Sequence, residues 1–503
     1  MKPSFLPLST LCAFSLCLLA ACGGSSSSPA RNAGPPAEPV ALCDGEAIAP
    51  ERLFLQQLGS DRVIIKWRNA PLDVAQSGDV VCFGVDHNAL PASSQTVAVV
   101  TETRHREALI TGLKPDTKYY YSVGGAASTD PRFSFRTAPL TGAVPADGNT
   151  RIWIVGDPGT SSSPLLDRGD NAGGQRAVRD GFNAWVAANG GEAADLFLML
   201  GDNAYLDGTD AQFQTAVFDL YTDTLATTGM WSTIGNHEMG SGGLSTAASV
   251  DLYSPATGIA DTVPDSPMPY LNIHSFPTQG ENGGVPSGTE QYYSFDYGNV
   301  HVISLDSQVS TRDAANMAAM REWVTADLQA NVADWTIVIF HHPPYTKGSH
   351  DSDSTAGGVD QPIFDMREQF NPVFEAYGVD LVYGGHSHSY ERSFYLSGHT
   401  GLSTTFDPEE HAELNSANQP ATGQGDEAYR QITNSGADDK VVYTVAGNSG
   451  QATGMSDPEG HPAFFYSTGD ILGSVVVDAG KNTLVARFID DSGEVRDHFI
   501  MQR

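Results

Sequence analysis

Cationic side chains are scarce in this 503-residue chain: 27 Lys and Arg stand against 60 Asp and Glu, a formal net charge of −33. A field of that sign repels polyanions, which argues against nucleic-acid polymers and anionic membrane surfaces as electrostatic partners. An anionic substrate must then meet a locally cationic site. With charged residues at only 17% of the chain, bound metal ions would build that site most economically. Cysteine is nearly absent as well. Of five, Cys12 and Cys17 fall in an N-terminal apolar run and Cys22 just after it, so Cys43 and Cys82 are left as one disulfide candidate. Sequence alone does not say whether those two approach within bonding distance. No apolar run comfortably spans a bilayer: Leu8 to Ala21 is too short, and with Lys2 ahead and small residues behind it reads as a secretory signal. No Gly-x-Ser-x-Gly elbow follows an apolar run, which removes a Ser-His-Asp hydrolase of that kind.

Leu19-Ala20-Ala21-Cys22 resembles a bacterial lipobox, which implies a signal over residues 1–21 and a lipid on Cys22. The Gly/Ser/Pro/Ala-rich stretch that follows reads as a flexible tether over residues 22–44. The expected product is exported from a bacterial cell and lipid-anchored on the periplasmic or extracellular side. Gly23 in place of the retention Asp favours the outer membrane. Residues 45–139 carry short β-rich runs (RVIIKW, VVCFGV, TVAVV, EALITGL, KYYYSV, RFSFRT) at the spacing of an all-β sandwich. Leu113-Lys114-Pro115-Asp116-Thr117-Lys118-Tyr119 resembles the tyrosine corner of fibronectin type III domains, with Trp67 as the core tryptophan. A Gly/Ala/Pro/Asp linker, Thr141 to Asn149, precedes a second region over 150–503.

There the grammar changes. Five apolar runs each end in residues able to bind metal: RIWIVGD, DLFLMLGD, MWSTIGNH, WTIVIFHH and DLVYGGHSH. Helical spacing between them predicts helices over Gly174 to Ala188 and Ala314 to Ala330, the latter with Met317, Met320, Trp323, Val324 and Leu328 as core. Strands alternating with helices make an α/β sheet, and ligands gather at the C-terminal ends of such strands. Singly each motif reads as an ordinary turn after a buried strand. Five in succession do not, because imidazoles and carboxylates at five strand ends converge naturally on metal ions.

In this order the five motifs resemble the purple acid phosphatase branch of the metallophosphoesterases, over about Arg151 to Arg503, with the tyrosine of the second motif as the branch's mark. The resemblance implies a four-layer α/β/β/α sandwich behind a smaller fibronectin type III-like sandwich. It implies two ions. Asp157, Tyr205 and His388 would hold one, Asp202 would bridge, and Asn236, His341 and His386 would hold the second. Tyr205 implies Fe(III) in the first place, because a phenol becomes an anionic ligand only beside a strongly polarising cation; the second ion would be Zn, Mn or Fe. The chemistry implied is hydrolysis of small phosphate monoesters by a metal-bound hydroxide, with His237, and His350 nine residues after His341, as leaving-group acid or phosphate contact. His342, Glu238 and Arg392 are candidates for supporting the ligands. Two alternatives stand beside this: a phosphodiesterase acting on nucleotides or phospholipid head groups, and a surface binding or adhesion lipoprotein. No protein partner is expected. Long segments after Gly240, His350 and Arg392 are the expected substrate rim.

Overall fold

Runs of β-branched and aromatic residues bounded by turns form strands here as they should. In the N-terminal region these are Glu51–Gln56, Arg62–Arg68, Val80–Gly84, Ala92–Gln95, Ala98–Val100, His105–Thr111, Lys118–Val123 and Ser134–Arg136. Two-residue alternation buries Leu55, Val63, Ile65, Trp67, Ile110, Tyr119 and Tyr121 in one shared core between two layers. The expected corner is present: the backbone N–H of Lys114 donates to the Tyr119 hydroxyl at 3.0 Å. The computed structural model describes residues 47–48, 50–68, 80–95, 98–100, 105–125, 131–163, 174–191, 193–239, 268–354, 360–431 and 440–503. The expected signal, tether and lipidated Cys22 lie outside these, as do 240–267, 355–359 and 432–439 of the long segments. Cys82 is disulfide-bonded. Its expected partner, Cys43, also lies outside the described residues.

The second region is built on two sheets. Thr150–Val155, Leu196–Met199 and Gly229–Ser232 run parallel in the first, which continues through Gly473–Ala479, Thr483–Asp490 and Val495–Gln502 on one side. On the other side it meets the N-terminal strand Glu51–Gln56, at Leu55 opposite Gly229, so that one eleven-stranded sheet crosses both regions. The second sheet has seven strands. In it Val300–Ser304, Trp335–Ile339, Leu381–Gly384 and Val441–Ala446 run parallel. Parallel strands covered on both faces need continuous apolar sequence, and Trp335–Ile339 is buried throughout.

Its two faces serve two cores. Ile337 and Ile339 pack inward against the first sheet, where Trp231 stacks on Phe295 at 3.6 Å, while Val338 packs outward with Met320, Val324 and Leu328. Those last three belong to helix Ala314–Ala330, capped by the Asp313 side chain. Helix Gly174–Ala188 covers the first sheet, with Phe182 stacked on Trp153 at 4.1 Å. The order is helix, sheet, sheet, helix. This is the four-layer α/β/β/α arrangement that the resemblance implied, joined to an N-terminal β region.

One buried network ties the second sheet to its helix. His301 Nδ1 lies 2.7 Å from Asp296 and Nε2 2.8 Å from Asp327, all three anchoring the start of the parallel strands. Burial alone would lower the imidazole, but the two carboxylates overcome it and raise it from 6.5 to about 9. A group raised on folding stabilises fully below its unfolded value and loses that contribution as pH climbs through the folded one. His301→Gln is therefore expected to cost on the order of 3 kcal/mol below pH 6.5 and progressively less toward pH 9 and above, read as the difference in thermal midpoint between the two proteins across that range. A difference independent of pH would contradict the charged assignment.

Candidate metal centre

Because the strands of each sheet run parallel, their C-terminal ends collect at one edge. Asp157, Asp202 and Asn236 follow the three strands of the first sheet; His341, His386 and His388 follow two of the second. The turns there are conformationally demanding. Asp157, Asp202 and His386 have φ of 53°, 51° and 65°, a left-handed geometry that costs a side-chain-bearing residue about 1–2 kcal/mol each. Three such residues at one edge mark a site whose geometry the surroundings impose. Neighbouring glycines leave the room: a Cβ on Gly235 would lie 2.3 Å from Asp202 Oδ1, and one on Gly385 2.3 Å from Asp157 Oδ2.

The seven expected ligands come together as two donor sets sharing one oxygen. In the first, the Tyr205 hydroxyl lies 3.3 Å from Asp157 Oδ1 and 3.1 Å from His388 Nε2. In the second, Asn236 Oδ1 lies 3.0 Å from both His341 Nε2 and His386 Nδ1. Asp202 Oδ2 is 3.3 Å from the Tyr205 hydroxyl and 3.4 Å from His341 Nε2, so it belongs to both.

These separations fit coordination shells. Metal–ligand distances of about 2.0–2.2 Å give ligand–ligand edges of about 3.0–3.5 Å. Hydrogen bonding alone serves the set poorly, since one phenolic proton faces two carboxylates and an imidazole. The carboxylates are buried and, among the described residues, pair with histidines and with no Lys or Arg. Burial would raise Asp202, but His341 and His237 hold it well below the usual carboxylate range. His341, which burial would lower, is raised to about 9 by Asp202 and Asp157. Burial and then the same two carboxylates push Tyr205 well above the ordinary phenol value, so only a strongly polarising cation would make it a phenolate. The donor set thus suits two metal ions.

Supporting contacts set tautomers and spacing. His341 Nδ1 donates to the Leu200 carbonyl at 2.8 Å, which leaves Nε2 as the lone-pair atom. Glu238 accepts from the backbone N–H of Asp202, Asn203 and Gly235 at 2.7–2.9 Å and so binds the second motif to the third; burial and Asp202 raise it to about 7. His237 donates its backbone N–H to Asp202 Oδ1 at 2.8 Å and its ring Nδ1–H to the Leu206 carbonyl at 2.7 Å, keeping Nε2 available at the edge of the centre. His350 stacks on His386 at 3.8 Å.

His342 is placed as a supporting residue: its ring stands at 87° to that of His341 and packs 4.4 Å from His386, with Nδ1 2.9 Å from Ser307 Oγ. One expectation changes. Arg392 supports no ligand. It lies in strand Tyr390–Leu396 and makes a fully buried bidentate pair with Asp497, at 2.6 and 3.0 Å, linking the two sheets. Strand alternation explains this, since the ligand turn has ended by Tyr390 and every second side chain then points between the sheets.

Two residues emerge from the structure alone. Glu391 is buried and accepts from Thr346, Ser389 and the backbone of Lys347 and Gly348, fixing the loop that leads to His350 against the last motif. Asp360 contacts both His350 and His386. Neither sits in an apolar run or near a motif glycine; Asp360, before Gln361-Pro362, reads in sequence as a helix cap.

Known proteins resemble the chain over both regions. The calcineurin-like phosphoesterase family matches residues 150–390, and the purple acid phosphatase N-terminal domain family matches residues 50–137. A probable purple acid phosphatase 20 of Arabidopsis thaliana is 23% identical over 356 residues, 68% of this chain and 69% of the relative. An uncharacterized protein of Mycobacterium tuberculosis is 28% identical over 323 residues, 60% of this chain and 53% of its own length, so the match spans about half of that relative. Among solved structures, the purple acid phosphatase PPD1 from yellow lupin (Lupinus luteus) seeds superposes with a TM-score of 0.63 at 17% identity, over 90% of this chain and 74% of that one; the likeness is one of fold.

Proposed function

Because the chain belongs to the purple acid phosphatase family of calcineurin-like phosphoesterases, we propose that it hydrolyses phosphate monoesters at a dinuclear centre held by Asp157, Asp202, Tyr205, Asn236, His341, His386 and His388. The observation that carries this is the pair of donor sets joined at Asp202 Oδ2, one including a tyrosine hydroxyl. We assign Asp157, Tyr205 and His388 to a ferric ion, and Asn236, His341 and His386 to Zn, Mn or Fe(II). Two ions so held would supply positive charge for a phosphoryl group and acidify a water molecule.

The chain's own residues do the rest. With Nδ1–H fixed on Leu206, His237 carries its mobile proton on Nε2, the nitrogen facing the centre, and gives it to the departing alkoxide. His350, beside the second donor set, receives the phosphate. Glu238 and Asp202 hold the two motifs at fixed spacing, so little reorganisation is left for the reaction step. The sequence further supports residues 45–139 and 150–503 as the two domains, and export with a lipid on Cys22. On that reading the enzyme works at the cell envelope on small phosphorylated compounds.

The experiment is a comparison of phosphate mono- and diester turnover by the purified protein at matched leaving groups. Monoester kcat/KM exceeding diester kcat/KM at least tenfold is expected. Faster diester cleavage would replace this reading with the phosphodiesterase.

A further inference from the structure

Asp360 stands at the N-cap position of helix Gln361–Gln369, where an aspartate ordinarily accepts from a backbone N–H in the first turn. Its side chain makes no such bond. Instead Oδ1 lies 2.8 Å from His350 Nδ1 and 3.1 Å from His386 Nε2, and the two rings stack at 27°. An ionised carboxylate only accepts, so both of these ring nitrogens carry their protons. For His386 that leaves Nδ1 as the lone-pair atom, the one beside Asn236 Oδ1. For His350 it leaves Nε2 as the atom free to meet a ligand.

We propose that Asp360 is a positioning residue: through one oxygen it sets the tautomer of a second-ion ligand and holds the phosphate-facing His350 against it, in place of capping its own helix. This rests on the dinuclear reading of the site. It also gives His350 a defined station, because its backbone is tied to the last motif through Ser387 Oγ and its ring through Asp360. Outer carboxylates of this kind typically change metal affinity 10–100-fold when removed.

The discriminating variant is Asp360→Ser, since serine stays small and polar but cannot reach both imidazoles. Full-length protein stripped of metal is titrated with Zn²⁺ by calorimetry. Thermal midpoints of the metal-free forms, and kcat and KM for an aryl phosphate, are measured alongside. The expected result is a metal-free midpoint close to wild type, Zn²⁺ affinity lower by about 10–100-fold and a raised KM. Asp360→Asn, which keeps an acceptor oxygen, should fall between the two. Unchanged Zn²⁺ affinity in Asp360→Ser would overturn the proposal while leaving the dinuclear reading intact, and a fall in midpoint matching the fall in affinity would make Asp360 structural. Wild-type protein that takes up no Zn²⁺ would sink both.

Discussion

His237→Ala is expected to lower kcat/KM for an alkyl phosphate by about 10²–10⁴, the span a positioned general acid contributes. For an aryl phosphate whose phenol leaves readily without a proton, the loss is small. The contrast follows from the contacts of the His237 ring. Leu206 holds Nδ1–H, the backbone N–H is committed to Asp202, and the ring packs edge-on to Tyr205 at 4.4 Å. Nε2, 3.8 Å from Asp202 Oδ2, is the nitrogen left for chemistry. The measurement is a plot of log kcat/KM against leaving-group pKa for both proteins with metal content verified; the variant's slope should be markedly steeper. Equal losses on alkyl and aryl esters would show that His237 holds the site together and transfers no proton.

On the ferric assignment proposed above, Tyr205→Phe is expected to remove the visible charge-transfer band and to leave the second ion bound. Among the described residues the Tyr205 hydroxyl is the phenolic oxygen placed between Asp157, Asp202 and His388, so its removal leaves no phenolate donor there. A phenolate on Fe(III) is the source of colour that this donor set implies. Metal analysis with an absorption spectrum checks it: wild type should be coloured with about two metals per chain, the variant colourless with the divalent ion retained. Two metals without colour in wild type would keep a dinuclear hydrolase and remove the ferric assignment.

The strands and the polar residues that gather at their ends are legible in sequence for the same reason. A buried parallel strand leaves an unbroken apolar run, and its polar ending has to be explained by partners, so Asp157, Asp202, Asn236, His341, His386 and His388 announce themselves. Helices Gly174–Ala188 and Ala314–Ala330 were equally readable from spacing. What sequence could not carry was direction and distance. Arg392 stands four residues beyond a ligand, yet strand geometry turns it toward Asp497, 105 residues on. Asp360 reads as a cap because local pattern says nothing of two histidines reaching it from other segments. The pairing of Leu55 with Gly229 was equally invisible, since neither strand's composition names its neighbour.

That pairing has a consequence for how the chain avoids its own kind. Gly229–Ser232 would otherwise be the outermost strand of its sheet on that side, offering unpaired backbone groups to any extended segment nearby. The N-terminal β domain occupies this border, with the Arg52 guanidinium on Asp210 at 2.5 Å and the Tyr121 hydroxyl on the Ala226 carbonyl at 2.8 Å holding it in place. It acts as a built-in guard against edge-to-edge aggregation. A catalytic region cut free at residue 150 would keep every ligand and still be prone to sticking to its copies through the strand that leads to Asn236 and His237.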